Sequence, residues 1–216
     1  GDYQARLEPR DGGPPPLQER IEREGVGTVV REVLPSLLLG VSGHLFHGLI
    51  RTGHALRGYR RHPTPTRARE VAHALAYWAS VQPEGKEDSS TTPATERPAR
   101  DVVLAAARAA ARAYLGPARG RDQFILLHTV TASAAVYHLL DWLADADAHR
   151  IAGALVEATA AAGVDHGSRS EPGDSGPEPF PDAELARRAG ESMDAHDIKF
   201  ADACLLFARE TGDDVF

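Results

Sequence analysis

Apolar side chains recur at three- and four-residue spacing through most of the chain, and nowhere do they alternate with polar ones over the length of a strand. The spacing predicts a short charged helix over Leu17–Glu24 and then about seven helices of ordinary length. These fall at Thr28–Leu38, Gly43–Arg61, Arg67–Ser80, Asp101–Leu115, Phe124–Leu143, Asp145–Ala162 and a final region from Asp182 to Glu210. Pro35 is expected to bend or restart the second of them. Thr66 and Asp101 are expected to cap the helices that follow them, and Gly116-Pro117 to stop the Ala-rich run. The start of the chain ends in GGPPP, which no helix interior accepts. Gln82–Arg97 and Val164–Pro181 are rich in Pro, Ser, Thr, Gly and charge and read as loops. The expectation is an all-α fold, one compact multi-helix bundle spanning residues 1–216 with two Pro/Ser/Gly-rich loops.

Charge narrows the partners. Lys and Arg number 24 against 31 Asp and Glu, a net charge of −7, which disfavours nucleic acid as a ligand. The lone cysteine, Cys204, excludes an internal disulfide framework and fits a cytoplasmic protein; its apolar neighbours predict an inert thiol. No apolar run is expected to span a bilayer, so no membrane partner is anticipated. The chain opens on Gly rather than Met and reads as a fragment or processed product.

The chemistry concentrates in imidazoles on apolar helices. GHLFHGLIRTGHALR (Gly43–Arg57) carries His44, His47 and His54. His47 and His54 share a helix face but stand about 10 Å apart along the axis, so one ion takes both only through a bend, which Gly53 permits. His44 and His47 form the easier pair by spacing alone. His128 sits in ILLHTVTASAAV, and His196 and Lys199 share a face in AHDIKFADACL. A desolvated lysine favours the neutral amine, which can act as a base, form a Schiff base or take up carbon dioxide as a carbamate. A carbamate with several imidazoles is a nitrogen/oxygen donor set for iron, zinc or manganese. Arg51 is a candidate partner for an acidic or phenolate substrate, while His62, His73, His138, His149 and His166 read as loop or surface residues.

HGLIRTGHALR, EVAHALAYWAS (Glu70–Ser80), LLHTVTASAAV (Leu126–Val136) and HDIKFADACLLFARE (His196–Glu210) together resemble the questin oxidase-like family. The family includes fungal enzymes that oxidatively open or rearrange anthraquinone-type polyketides, and at least one member resembles a non-heme iron dioxygenase. The resemblance implies metal ligands at His47, His128, His196 and Lys199, with Lys199 carboxylated and His54 as a further ligand. It implies a cytoplasmic oxygenase using iron(II), with zinc or manganese as alternatives and NADPH left open. Its partners would be dioxygen and a small aromatic substrate held by Arg51. Family chains begin with a segment bearing an Asn-His motif that does not precede Gly1 here, so an N-terminal piece is expected to be missing. Two other readings stand beside it: a metal-dependent hydrolase built on the His196-Asp197 dyad, and a non-catalytic helical binding protein.

Overall fold

The computed structural model describes residues 16–82, 97–116, 121–164, 181–212 and 215–216, and all regular structure among them is helical. Nine α-helices follow one another: α1 (Leu17–Glu24), α2 (Val26–Leu37), α3 (His47–Arg61), α4 (Pro65–Ser80), α5 (Ala99–Leu115), α6 (Arg121–Leu139), α7 (Asp145–Ala161), α8 (Asp182–Glu191) and α9 (Ala195–Thr211). The N-terminal segment, His166 and nearly all of both expected loops lie outside the described residues.

Helix α6 is the axis of the bundle and packs against α3, α5, α7 and α9. Leu126, Val130, Ala132, Ala134, Val136 and Leu139 are all buried, and Thr129, Thr131 and Ser133 are buried with them. Those three hydroxyls are satisfied within the helix. Thr129 donates to the Leu126 carbonyl at 2.7 Å and Ser133 to the Thr129 carbonyl at 2.8 Å, which removes the cost of desolvating a free hydroxyl. The stretch Asp122–Trp142 is long and apolar enough to cross a membrane, contrary to the sequence expectation, but 78% of its apolar 18-residue window is buried inside the bundle. Ala106, Ala107, Ala110 and Ala111 are among the buried side chains of α5, which packs against α6 and α7.

Helix ends depart from expectation where backbone chemistry outweighs periodicity. Thr64 caps α4, accepting from the Arg67 N–H at 3.2 Å, because Pro65 fits the first helical position and needs no partner for a missing N–H. Thr66 is therefore inside the helix. Asp101 lies in the first turn of α5 and Pro98 precedes that helix. Pro35 stays inside α2, which runs on to Leu37. The final helical region is two helices, α8 and α9, separated at Ser192–Asp194.

The largest departure lies immediately before α3. The expected helix over Gly43–Phe46 is instead a left-handed turn: His44, Leu45 and Phe46 have φ of 47°, 53° and 64°. For residues with a Cβ this costs about 1–2 kcal/mol each. Phe46 is buried to 3% exposure, and that burial, worth about 1.5–3 kcal/mol, offsets part of the strain. The preceding connection is tied to the end of α4. Trp78 Nε1 donates to the Gly40 carbonyl at 3.3 Å and Gln82 Nε2 to the Leu37 carbonyl at 3.2 Å. His44 is exposed and off the helix, so the expected His44–His47 chelating pair on one helix face does not form.

Candidate metal centre

Three helices deliver one imidazole each to a common point: His47 from the start of α3, His128 from α6 and His196 from the start of α9. One ligand nitrogen from each lies within 4.8 Å of the other two. His47 and His128 meet through their Nε2 atoms, which are 3.2 Å apart. The His128 ring stands edge-on to both His47 and His196, with centroids 5.1 and 5.2 Å away.

Proton positions follow from the acceptors. His128 Nδ1 is 2.8 Å from the Phe124 carbonyl, which can only accept, so Nδ1 carries the proton and Nε2 presents a lone pair. His196 Nδ1 lies 2.8 Å from Asp194 Oδ1. The same oxygen accepts the His196 backbone N–H at 2.8 Å, capping α9. Both bonds hold the Asp194 carboxyl below the usual carboxylate range. The His196 Nδ1–H is thereby committed to Asp194, and its Nε2 is the available donor atom. An oxygen acceptor behind a ligating imidazole fixes its tautomer and raises its basicity.

The electrostatics favour neutral rings at His47 and His128. Burial, then the neighbouring His128, Lys199 and His196, pushes the His47 pKa below its ordinary value. Burial does the same for His128, against the pull of its bond to the Phe124 carbonyl. Two nitrogens bound to one first-row ion at about 2.0–2.1 Å stand about 2.9–3.3 Å apart for octahedral to tetrahedral angles. The His47–His128 separation of 3.2 Å falls inside that range. The three histidines can therefore form a metal site.

The other expected site residues line the adjoining space. A cavity of about 580 Å³ is bounded by His47, Arg51 and His54 of α3, Tyr77 of α4, and Lys199 and Asp202 of α9. Lys199 is half-buried there, and its charge reaches His47 and His128. Asp202 is taken by Arg57 at 2.6 Å, and among the described residues Lys199 has no ion-pair partner. His54 is not one of the three converging imidazoles. It lines the cavity farther along α3, which runs uninterrupted from His47 to Arg61. Gly53 serves close packing: a Cβ there would stand 2.8 Å from both Cα and Cβ of Ala135 on α6. The Arg51 guanidinium sits 5.4 Å from the centroid of the Tyr77 ring. Asp197 accepts from Ser192 at 2.7 Å and is not a member of the three-histidine cluster.

Phe124 and Asp194 are the residues that the sequence reading missed. Phe124 is 42% exposed, with its ring 4.5 Å from His128 and 5.2 Å from His196, and forms an apolar lip over the cluster. Asp two residues before His196 at a helix start was the available signal for the second. His138, expected at a loop or surface, lies on α6; its Nε2 is buried without a partner among the described residues, and burial pushes its pKa down to about 4. Cys204 is buried and its thiol is pushed up to about 12, in line with an inert side chain. The chain matches no protein-family model, no curated protein and no solved structure.

Proposed function

We propose that this protein is a non-heme metal-dependent oxygenase of the questin oxidase-like kind, acting on a small aromatic, polyketide-like substrate. The observation that carries the reading is the convergence of His47, His128 and His196, each from a different helix, with one ring nitrogen from each within 4.8 Å of the other two. Imidazoles with an oxygen anion suit iron(II), and zinc or manganese fits the same donors less selectively. When bound, iron(II) supplies the activation of dioxygen beside an electron-rich ring.

The chain's own residues have definite parts in this reading. His128 and His196 are pre-oriented by Phe124 and Asp194, so little reorganisation accompanies metal binding. Lys199, half-buried and without a carboxylate partner, would add carbon dioxide at Nζ, releasing a proton and leaving a carbamate oxygen as the anionic ligand. Phe124 and Ile198, 42% and 44% exposed, offer apolar surface to a flat ring beside the cluster. Arg51 would hold a phenolate or carboxylate on that ring.

Metal analysis of protein purified without added metal is the direct test, joined to dioxygen uptake with a hydroxyanthraquinone. Stoichiometric iron and iron-dependent uptake are expected, both lost in His128→Ala. Absence of iron, zinc and manganese after purification, with no binding of added iron(II), would overturn the reading.

A further inference from the structure

A second concave surface lies on the other side of Arg51. It encloses about 630 Å³ between α3 and α4, bounded by Arg51 and His54 from the first helix and by Thr66, Arg67, Arg69 and His73 from the second. Arg51 and His54 also line the cavity beside the three histidines, so the two spaces share a wall. The charge of this groove runs against that of the whole chain. Three guanidinium groups face a single carboxylate, Glu70, in a protein of net charge −7. Glu70 is already paired with Arg67 at 2.8 Å. Among the described residues Arg51 and Arg69 have no carboxylate partner; Arg51 has only its place over Tyr77.

We infer that this groove is an oxyanion subsite, in which Arg51 and Arg69 receive a carboxylate or phosphate carried by the molecule whose ring occupies the neighbouring cavity. The two arginines come from different helices, so an oxygen acid between them gains charge-assisted bonds from two sides. Thr66 adds a hydroxyl on the same wall. The shared wall makes the expected ligand bipartite: an apolar ring toward His47 and a negatively charged group toward Arg69. This deepens the proposed function and rests on that reading for the position of the ring, but anion binding itself needs no metal.

The test is calorimetric titration of the full, metal-free chain with phenyl phosphate, benzoate and neutral benzyl alcohol. One or both anions are expected to bind at least tenfold more tightly than the alcohol, and the preferred anion tells phosphate from carboxylate. Arg69→Gln should weaken that anion about tenfold, the loss of one charge-assisted contact. Arg31→Gln, at an exposed position on α2, should leave it unchanged. Inorganic phosphate should compete with phenyl phosphate if the acid group is what the groove reads. Equal affinity in Arg69→Gln and the parent chain, or an equal loss in Arg31→Gln, would overturn the subsite. A chain that binds the anion but no iron, zinc or manganese would sink the metal reading alone; one that binds metal but no anion would sink the subsite alone.

Discussion

The Nε2 atoms of His47 and His128 face each other at 3.2 Å, and only one of them can carry a proton. His128 has its proton on Nδ1, held by the Phe124 carbonyl, so in the metal-free chain His47 must donate from Nε2. In the proposed metal site, a cation between the two rings would take the place of that shared proton. The arrangement distinguishes His47 and His128, which face one point, from His54, which lies farther along the same helix and the same cavity.

Zinc titrations should reproduce that distinction. His47→Ala and His128→Ala are each expected to lower zinc affinity by about a hundredfold or more, while His54→Ala changes it by less than about threefold, since a lost ligand exceeds the tenfold to hundredfold typical of an outer-shell partner. Asp194→Asn, which keeps the cap but removes the charge behind His196, should fall between them, at about tenfold. Equal losses in His54→Ala and His47→Ala would place the ion farther along α3 than the proposed site.

His47 and His128 stood out in the sequence because an imidazole on an otherwise apolar helix face is costly unless something satisfies it. That cue is local; the grouping of these two with His196 came from the family resemblance and not from spacing. The doubt over His54 was legible too, since seven residues of unbent helix put it roughly 10 Å from His47 along the axis. Spacing alone does not decide whether a helix bends or what packs around it. The same limit hid His138, whose burial depends on what packs over the end of α6. The left-handed turn at His44–Phe46 was hidden for a different reason: Leu45 and Phe46 continue the apolar period of α3, so only the backbone reveals where the helix begins.

That turn makes a prediction opposite in sign to the helix it replaces. In a helix interior glycine is about 1 kcal/mol less stable than alanine. At His44, with φ of 47°, the left-handed conformation penalises every Cβ. His44→Gly should therefore be about 1 kcal/mol more stable than His44→Ala in urea unfolding at constant slope, and His44 is exposed enough that neither change removes packing. The reverse order would mean that α3 starts before His47.

Gly53→Ala tests how closely α3 and α6 must approach for His47 to meet His128. The new Cβ would stand 2.8 Å from Ala135 Cα, 2.8 Å from its Cβ and 3.1 Å from its carbonyl oxygen, and neither helix backbone can yield locally. Overpacking of this kind costs about 1–3 kcal/mol. Zinc affinity should fall along with stability, because the helices that separate carry two of the three donors. A stability loss with unchanged zinc affinity would show that the imidazoles adjust independently of helix spacing. Gly58→Ala is the comparison on the same helix, where the nearest atom is the flexible tip of Arg67 at 3.3 Å, and it should leave both quantities close to the parent values.

His138 should set much of the acid sensitivity of the fold. Burial and the neighbouring Arg57 hold its folded-state pKa near 4, whereas the unfolded chain protonates this ring near 6.5. Between those values the unfolded state binds the additional proton, so stability rises with pH across that window and the ring's contribution is lost as pH falls through it. The effect is on the order of 2 kcal/mol once partial exposure is discounted. Replacing His138 with Leu removes the titrating group together with the unpartnered Nε2 atom. Two apolar groups of similar size cost little where a polar atom had no bond to lose. His138→Leu is therefore expected to match the parent chain at pH 7.5 and to exceed it by about 2 kcal/mol at pH 4. Chemical denaturation at half-unit pH steps reads the difference directly. Parallel curves for the two proteins between pH 4 and 6.5 would move the acid sensitivity to other groups, with His47 and His128, whose pKa values are also depressed, next in line.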